Sequence, residues 1–342
     1  MHETQKRFRQ RAAAWLAAAF CFSFSISPAW AVEQTRTLIP LGKAVGIKLF
    51  ADGVLVVDTS DLQRGGDTVS PAEDCGLQEG DLILSANGEK IQSTEHMQSI
   101  LQENGEDTMV LAVQRGSRTM EVAIDPVRCD DGTCRLGAWI RDSMAGVGTL
   151  TFYDPATGQF AALGHGINDV DTARLMPLAS GSIMETTVKA VRKGAAGSPG
   201  ELKGDFAVQR DVGALCANTD CGVFGTVTDA GFVPQGEALP VAKRQEIHTG
   251  PATILATVGG SDTKEYAVEI TRLYGGDQPT RNLLLRVTDE ELLSATGGIV
   301  QGMSGSPIIQ DGKLVGAVTH VLVNDPTRGY GIFIENMLEA AS

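Results

Sequence analysis

The sequence predicts a mainly β protein with more than one domain. From Cys129 onward, short segments that alternate apolar and polar residues are separated by turn residues, and few stretches show helical periodicity. The chain holds 40 glycines and only 5% aromatic residues, a composition typical of strands joined by tight turns. Short strands at regular spacing are typical of an antiparallel barrel or sandwich. At 342 residues the chain has room for two domains and an N-terminal extension.

Residues 1–31 are typical of an export signal. A basic stretch precedes the apolar run at 12–26, and Ala29-Trp30-Ala31 fits the small-residue pattern of a cleavage site. The run is shorter than the ~20 apolar residues of a comfortable membrane span. We therefore expect the rest of the chain to be exported, either released by cleavage or held by an uncleaved membrane anchor.

Charge excludes one class of function. The formal net charge is −14, from 28 Lys and Arg against 42 Asp and Glu. Proteins that bind nucleic acid need a basic face to replace the counterions of the phosphates. No nucleic-acid partner is predicted, and no cofactor.

Residues 36–126 are predicted to form a small domain. Its most specific part runs from Pro71 to Gly88, where a short helix, a turn and a strand follow closely, and a second helix begins near Ser93. This segment resembles a PDZ domain. The resemblance implies a groove between the Ile47 strand and the Ser93 helix, where a peptide end adds as an extra strand. The residues expected to bind that peptide are Leu41, Gly42, Gly46 and Ile47.

Four cysteines form two C-x4-C pairs, Cys129 with Cys134 and Cys216 with Cys221. In an exported protein such local pairs indicate disulfides. The alternative is one zinc site with four thiolates, although zinc sites usually have the shorter C-x2-C spacing. Cys75 is expected to be a small buried apolar residue.

The run Gly302-Met303-Ser304-Gly305-Ser306-Pro307 is the most informative motif. A serine between glycines can lie on a tight turn with its hydroxyl exposed, and such a turn directs backbone N–H groups at a developing oxyanion. The N–H groups of Gly302 and Ser304 are the expected donors. Because the turn leads into a strand, the motif differs from the strand-to-helix nucleophile elbow of α/β-hydrolases.

A general base for Ser304 must come from five histidines. His165 ends a predicted strand between two glycines, where an imidazole can face a cleft, and His320 lies on the strand that follows the serine turn. The order histidine then serine is that of trypsin-like proteases. We expect His165 to be the base and His320 to lie nearer the substrate, although the residues alone leave His320 as an alternative.

Three segments together resemble the SpoIVB peptidases, exported sporulation serine proteases related to the trypsin-like fold. They are 163–167 around His165, 297–307 around Ser304, and 318–326, which contains Thr319 and His320. The resemblance implies a PDZ domain followed by a trypsin-like antiparallel β-barrel protease over 128–342. It also implies catalytic roles for Ser304, His165 and Asp289, and a functional threonine at Thr319. We expect Thr319 and His320 to bind substrate.

The resemblance further implies a role in sporulation. Such a protease is released from the forespore into the space between two membranes. It cuts itself and a membrane-bound regulator, which frees an intramembrane protease to activate a late sigma factor. Two other function classes stay open, a non-catalytic PDZ adaptor and a zinc-binding regulatory protein.

The acid of the triad has two candidates. Asp289 is the residue implied by the resemblance, yet Thr288-Asp289-Glu290-Glu291 also has the pattern that begins a short helix. An aspartate there is stabilised by the helix without any catalytic duty. Asp169 is the rival, four residues beyond His165. We expect Asp289 to accept the Nδ1–H of His165.

Overall fold

The structure is a computed structural model, and it describes residues 36–232, 235–275 and 278–341. The predicted export signal at 1–31 lies outside the described residues. Within the described part, no helix is both long and apolar enough to cross a membrane.

The first of two β-barrels closes from six antiparallel strands. In order around the ring, these are β2 (Ala44–Thr59), β11 (Ala138–Asp154), β12 (Gln159–Ala162), β15 (Gly222–Val227), β14 (Glu201–Thr219) and β13 (Ser180–Arg192), which pairs again with β2. Two short strands extend this sheet beyond β11, namely β1 (Thr37–Pro40) and β16 (Leu239–Pro240). The interior is apolar, with Val45, Leu150, Phe160 and Ile183 almost fully buried.

The second barrel is closed and also antiparallel. Its strands, in order around the ring, are β17 (Gly250–Ala256), β18 (Lys264–Leu273), β19 (Leu283–Val287), β22 (Asp325–Phe333), β21 (Lys313–Leu322) and β20 (Pro307–Gln310). Helix α3 (Glu290–Thr296) joins β19 to the segment before β20, and helix α4 (Ile334–Ala340) follows β22. Ile254, Val268, Leu285 and Val318 form part of its buried core. The predicted mainly β, barrel-based fold class is confirmed.

Between β2 and β11 the chain builds a separate α/β unit with its own core. Its remaining elements are β3 (Leu62–Arg64), β4 (Asp67–Val69), α1 (Pro71–Asp74), β5 (Leu82–Ala86), β6 (Glu89–Lys90), α2 (Thr94–Asn104), β7 (Met109–Arg115), β8 (Arg118–Ile124), β9 (Val127–Arg128) and β10 (Cys134–Arg135). Ser93 caps α2, since its side chain accepts a hydrogen bond from the His96 N–H. Met97, Ile100 and Leu101 then face the buried side of the helix.

Two long strands connect this unit to the first barrel. The first half of β2 pairs with β11 and β13, so residues 44–50 are barrel strand. The second half pairs with β5 through Val54 and Leu55 and belongs to the α/β unit. Strand β11 returns alongside β2 from Ala138 to Thr149. Residues 37–50, assigned from the sequence to the small domain, therefore pair with the protease barrel.

This pairing corrects the predicted peptide groove. The N–H groups of Leu41 and Gly42 donate to the carbonyls of Thr151 and Leu150, at 3.0 and 2.9 Å. Ile47 lies between two partner strands, opposite Gly146 on one side and Ile183 on the other. Because both strand edges are occupied, no peptide can add beside Ile47 as predicted.

The same correction applies to the helix side of that groove. Helix α2 faces the segment from β10 to β11: the Thr94 N–H donates to Asp142 at 2.9 Å. At the other end of the helix, the Gln102 amide makes hydrogen bonds to both the N–H and the carbonyl of Cys134. The strand opposite α2 thus comes from β11 rather than from the Gly46–Ile47 stretch.

The structure also contradicts both predicted disulfides, because all the described cysteines are free thiols. Cys134 pairs with Arg128, and Cys129 donates its N–H to Thr133. Since side chains alternate along a strand, those of Cys129 and Cys134 point to opposite faces of the hairpin. The described residues also hold no group of three or more His, Cys, Asp or Glu side chains placed for a metal ion.

The second cysteine pair is separated along its hairpin. Cys221 lies in the turn that Thr219 and Gly222 close, whereas the Cys216 sulfur lies 3.8 Å from the Thr226 hydroxyl, well down the strands. Three residues of strand, about 10 Å, separate Cys216 from the turn that contains Cys221. This distance exceeds what a disulfide can span.

We expect the purified protein to contain free thiols at these four positions. Intact mass, measured with and without reductant after denaturation, should therefore be unchanged. Alkylation of the unfolded, unreduced chain should modify Cys129, Cys134, Cys216 and Cys221 completely. A mass increase of four protons on reduction would instead show that the two local disulfides are present.

Candidate functional site

The serine turn lies between α3 and β20 and depends on two glycines. Gly302 and Gly305 have φ of +96° and +98°, a region that other residues rarely adopt. A side chain at Gly305 would also overlap the carbonyl of Thr149. Hydrogen bonds from the Met303 N–H to Val300 and from the Ser306 N–H to Met303 hold the turn, at 3.1 and 3.0 Å.

Thr149 of the first barrel binds this turn directly. Its N–H donates to the carbonyl of Ser304 at 3.1 Å, and its hydroxyl donates to the carbonyl of Gly302 at 2.7 Å. Its own carbonyl accepts the N–H of Leu163, two residues before His165. One residue thus ties the serine segment and the histidine segment together.

His165 follows β12 in the first barrel. Its Nδ1 lies 2.8 Å from the carbonyl oxygen of Gly166. Because a carbonyl oxygen only accepts, this contact requires the hydrogen on Nδ1 and leaves Nε2 with its lone pair. Burial lowers the pKa of His165, and the Gly166 contact opposes that shift only in part.

Ser304 and His165 line one cavity of about 400 Å³ between the two barrels. The Ser304 hydroxyl donates to the backbone carbonyl of Thr319 at 2.7 Å. Among the described residues, no hydrogen bond joins Ser304 to His165. A hydrogen bond between the two would require the serine side chain to leave Thr319.

The predicted oxyanion donors have no acceptor in the described structure. The N–H groups of Gly302 and Ser304 form no hydrogen bond there, whereas Met303 between them bonds to Val300. Gly302 and Ser304 both line the cavity. Two free donors on one turn can stabilise a negatively charged oxygen next to the Ser304 hydroxyl.

Thr319 and His320 also line the cavity, as β21 passes behind the serine. Thr319 is buried, and its hydroxyl donates to the carbonyl of Thr280 at 2.8 Å. The His320 ring lies 5.2 Å from the His165 ring, centroid to centroid, and its buried Nδ1 has no hydrogen-bond partner. Burial, followed by the nearby charges of His165 and Arg281, lowers the pKa of His320 to about 4. The imidazole is therefore neutral at pH 7.

The structure does not bring Asp289 into contact with His165. Asp289 caps α3 instead, accepting the N–H of Leu292 at 2.9 Å, and its second oxygen accepts the N–H of Ala267 at 3.2 Å. The capping pattern in the sequence accounts for this placement. The hydrogen bond expected from His165 to Asp289 goes to the Gly166 carbonyl.

Asp169, the rival acid, is fully buried but is also engaged elsewhere. It forms an ion pair with Arg141 and accepts the N–H groups of Asp171 and Thr172 at 3.1 and 2.9 Å. Burial opposes ionisation, yet the hydrogen bond from Thr172 and the pairing with Arg141 lower the pKa of Asp169 overall. Neither carboxylate contacts His165 in the described structure.

Three features of the site were missed from the sequence. These are the Gly166 carbonyl, the contacts of Thr149, and the cavity wall formed by Ile47 and residues 144–147. The alternating pattern of residues 148–153 indicated a strand but not its neighbours. Ile47, predicted in the PDZ groove, instead lines the cavity that contains Ser304.

Comparison with known proteins agrees with this arrangement. The model of the SpoIVB peptidase S55 family matches residues 132–338, more than half of the chain, and a PDZ domain model matches residues 64–115. The regulator of sigma-W protease RasP of Bacillus subtilis (strain 168) is 40% identical over 60 residues. That match spans 18% of this chain and only 14% of the relative.

Two solved structures are also similar. The active form of the Rv3671c protease from M. tuberculosis has 14% identity and a TM-score of 0.31, covering 58% of this chain and 72% of that one. The PDZ domain of an SdrC-like protein from Listeria monocytogenes has 23% identity and a TM-score of 0.22, covering 26% of this chain and 87% of that one.

The family match covers the second barrel, most of the first, and both His165 and Ser304. The PDZ match falls in the α/β unit between β2 and β11. The chain belongs to the SpoIVB peptidase S55 family, carries a PDZ domain before the matched peptidase segment, and is a serine endopeptidase.

Proposed function

We propose that Ser304 is the nucleophile of this endopeptidase and His165 its general base. The observation that supports this most directly is that both side chains line one cavity, beside the two N–H groups that have no acceptor. The nearby His320 remains outside this pair, because its buried Nδ1 has no hydrogen-bond partner to orient the ring, whereas the Nδ1 of His165 contacts the Gly166 carbonyl.

In the proposed mechanism the Nδ1–H···O=C contact to Gly166 holds His165 in the tautomer that a base needs. When substrate enters, the Ser304 hydroxyl turns from Thr319 to the Nε2 of His165. His165 takes that proton as Oγ attacks the peptide carbonyl, and later gives it to the leaving amine. Water then hydrolyses the acyl-enzyme by the same route in reverse.

The tetrahedral intermediate places negative charge on the former carbonyl oxygen. The N–H groups of Gly302 and Ser304 are proposed to bind it, and each such donor contributes on the order of 10²–10³ in rate. The Gly166 carbonyl stabilises the imidazolium at the same moment, in the place where trypsin-like proteases use an aspartate.

In the cell, we propose, this protease is exported, acts in the space between the forespore and the mother cell, and cuts itself and a membrane-bound regulator of an intramembrane protease. That second cut would lead to activation of a late sigma factor. Support comes from the family match and from the short similarity to a protease that, by its name, regulates sigma-W.

Replacing Ser304 with alanine should abolish cleavage and labelling by a fluorophosphonate, with the unfolding transition unchanged. Ser306→Ala is the matched control, since Ser306 lies on the same turn, fully buried, with a hydroxyl that has no partner. Its removal should leave labelling intact. Cleavage by pure Ser304→Ala protein would contradict the assignment.

The pH profile should reveal the shifted base. The neutral form of His165 is the active one, so protonation on the acid side removes activity. Because burial lowers the pKa of His165, the acid limb of kcat/KM should lie below the ordinary histidine value of about 6.5. A limb at or above that value, measured with an uncharged peptide, would contradict the assigned environment.

Asp289→Asn should retain cleavage within a few-fold, because asparagine caps a helix about as well as aspartate. Asp289→Ala should lower the free energy of unfolding by about 1 kcal/mol, again with kcat/KM nearly unchanged. Both quantities are measured on the same preparations. A loss near 10⁴ in kcat for Asp289→Asn would instead identify it as the orienting acid.

A further inference from the structure

The cavity beside Ser304 has a consistent chemistry. Among the described residues that line it, none is Asp, Glu, Lys or Arg. Its apolar wall comes from both barrels and includes Ile47, Met144 and Val147 on one side and Val300 and Val321 on the other. The polar lining atoms are concentrated around the proposed reacting groups. Asn168 and Gln301 are two further polar residues of the lining, and both are uncharged.

A cavity of about 400 Å³ is larger than a single side chain and falls within the range of ligand sites. A peptide bond held against Ser304 must therefore bury the side chains that flank it in this space. The cavity is large enough for more than one substrate side chain, so its volume alone does not select side chains by size.

The cavity wall disfavours charged side chains of the substrate. A buried charged group without a partner loses its hydration and is strongly disfavoured, and even a neutral polar group without a partner is disfavoured. The lining holds no opposite charge to pair with a lysine or a glutamate of the substrate. The charge of Arg281 contributes to the lowered pKa of His320 and would also disfavour a basic side chain of the substrate there.

We propose that this endopeptidase cuts peptide bonds flanked by uncharged apolar residues, and that the wall around Met144 and Val321 enforces this choice. The proposal rests on the function assigned above and adds the substrate class. Apolar side chains of the substrate contact the aliphatic wall, while charged ones lose their hydration without gaining a partner.

The test uses the purified chain and a set of internally quenched peptides that differ only in the residues flanking one scissile bond. Products are located by mass spectrometry. We expect kcat/KM for Leu, Val or Met to exceed that for Lys, Asp or Glu by on the order of 10²-fold, the rate equivalent of ~3 kcal/mol. Equal or better cleavage beside a charged residue would overturn the proposal.

A variant that places a charge in the cavity wall provides a second and sharper test. Met144 is half-buried on β11, so Met144→Glu adds a carboxylate to the cavity, and Met144→Gln adds the same shape without charge. The glutamate variant should improve the ratio of Lys-flanked to Leu-flanked cleavage at least about tenfold, and the glutamine variant should not. The same shift in both variants, or in neither, would count against the proposed wall.

Binding separates this inference from the assignment of the nucleophile. Ser304→Ala protein is titrated with the same peptides, followed by fluorescence anisotropy. Tighter binding of the apolar set supports the inference even if the wild-type protein fails to cleave. Failure to cleave would contradict only the assignment of Ser304 as the nucleophile. Tighter binding of the charged set would overturn the inference whatever the activity.

Discussion

The relative position of Ser304 and His165 depends on the hydrogen bonds of Thr149. The proposed nucleophile comes from one barrel and the proposed base from the other, so their relative position depends on contacts between the two barrels at this point. The N–H, hydroxyl and carbonyl of Thr149 bind Ser304, Gly302 and Leu163 in turn. Each such hydrogen bond contributes only about 0.5–1.5 kcal/mol, but together they define where serine and histidine meet. Gly305 is obligatory for the same reason, since any side chain there would push the turn away from Thr149.

Electrostatics in this site are arranged around neutral groups. A carboxylate next to His165 would raise the pKa of that imidazole, whereas the Gly166 carbonyl orients the ring with a dipole and burial lowers its pKa. His320 is neutral for a similar reason. The cost is a less stabilised imidazolium during the reaction. The gain is that the proposed base remains unprotonated in a cavity whose described lining carries no Asp, Glu, Lys or Arg.

Sequence reasoning succeeded where local chemistry decides. The glycine-flanked serine turn, the histidine between glycines and the capping pattern at Asp289 are all local, and the structure shows the conformations they favour. Pairing between distant strands was not readable. The resemblance to a PDZ domain placed Ile47 beside a peptide groove, but only its strand partners, Gly146 and Ile183, decide where it lies. The disulfide prediction failed for a related reason, because spacing in the chain says nothing about which face of a hairpin each cysteine occupies.

The paired strands β2 and β11 give the PDZ unit an unusual connection to the rest of the molecule. The unit is connected to the first barrel through β2 and β11. A shortened chain that begins after residue 126 therefore lacks the barrel strand β2 as well as the PDZ unit. Conversely, after a single nick within the unit, β2 would stay in the first barrel through its pairing with β11 and β13. The pairing of β2 with β11 runs, with two register shifts, from Val56 beside the PDZ core to Ile47 and Gly146 at the cavity wall. The PDZ core and the cavity wall are therefore built on the same two strands.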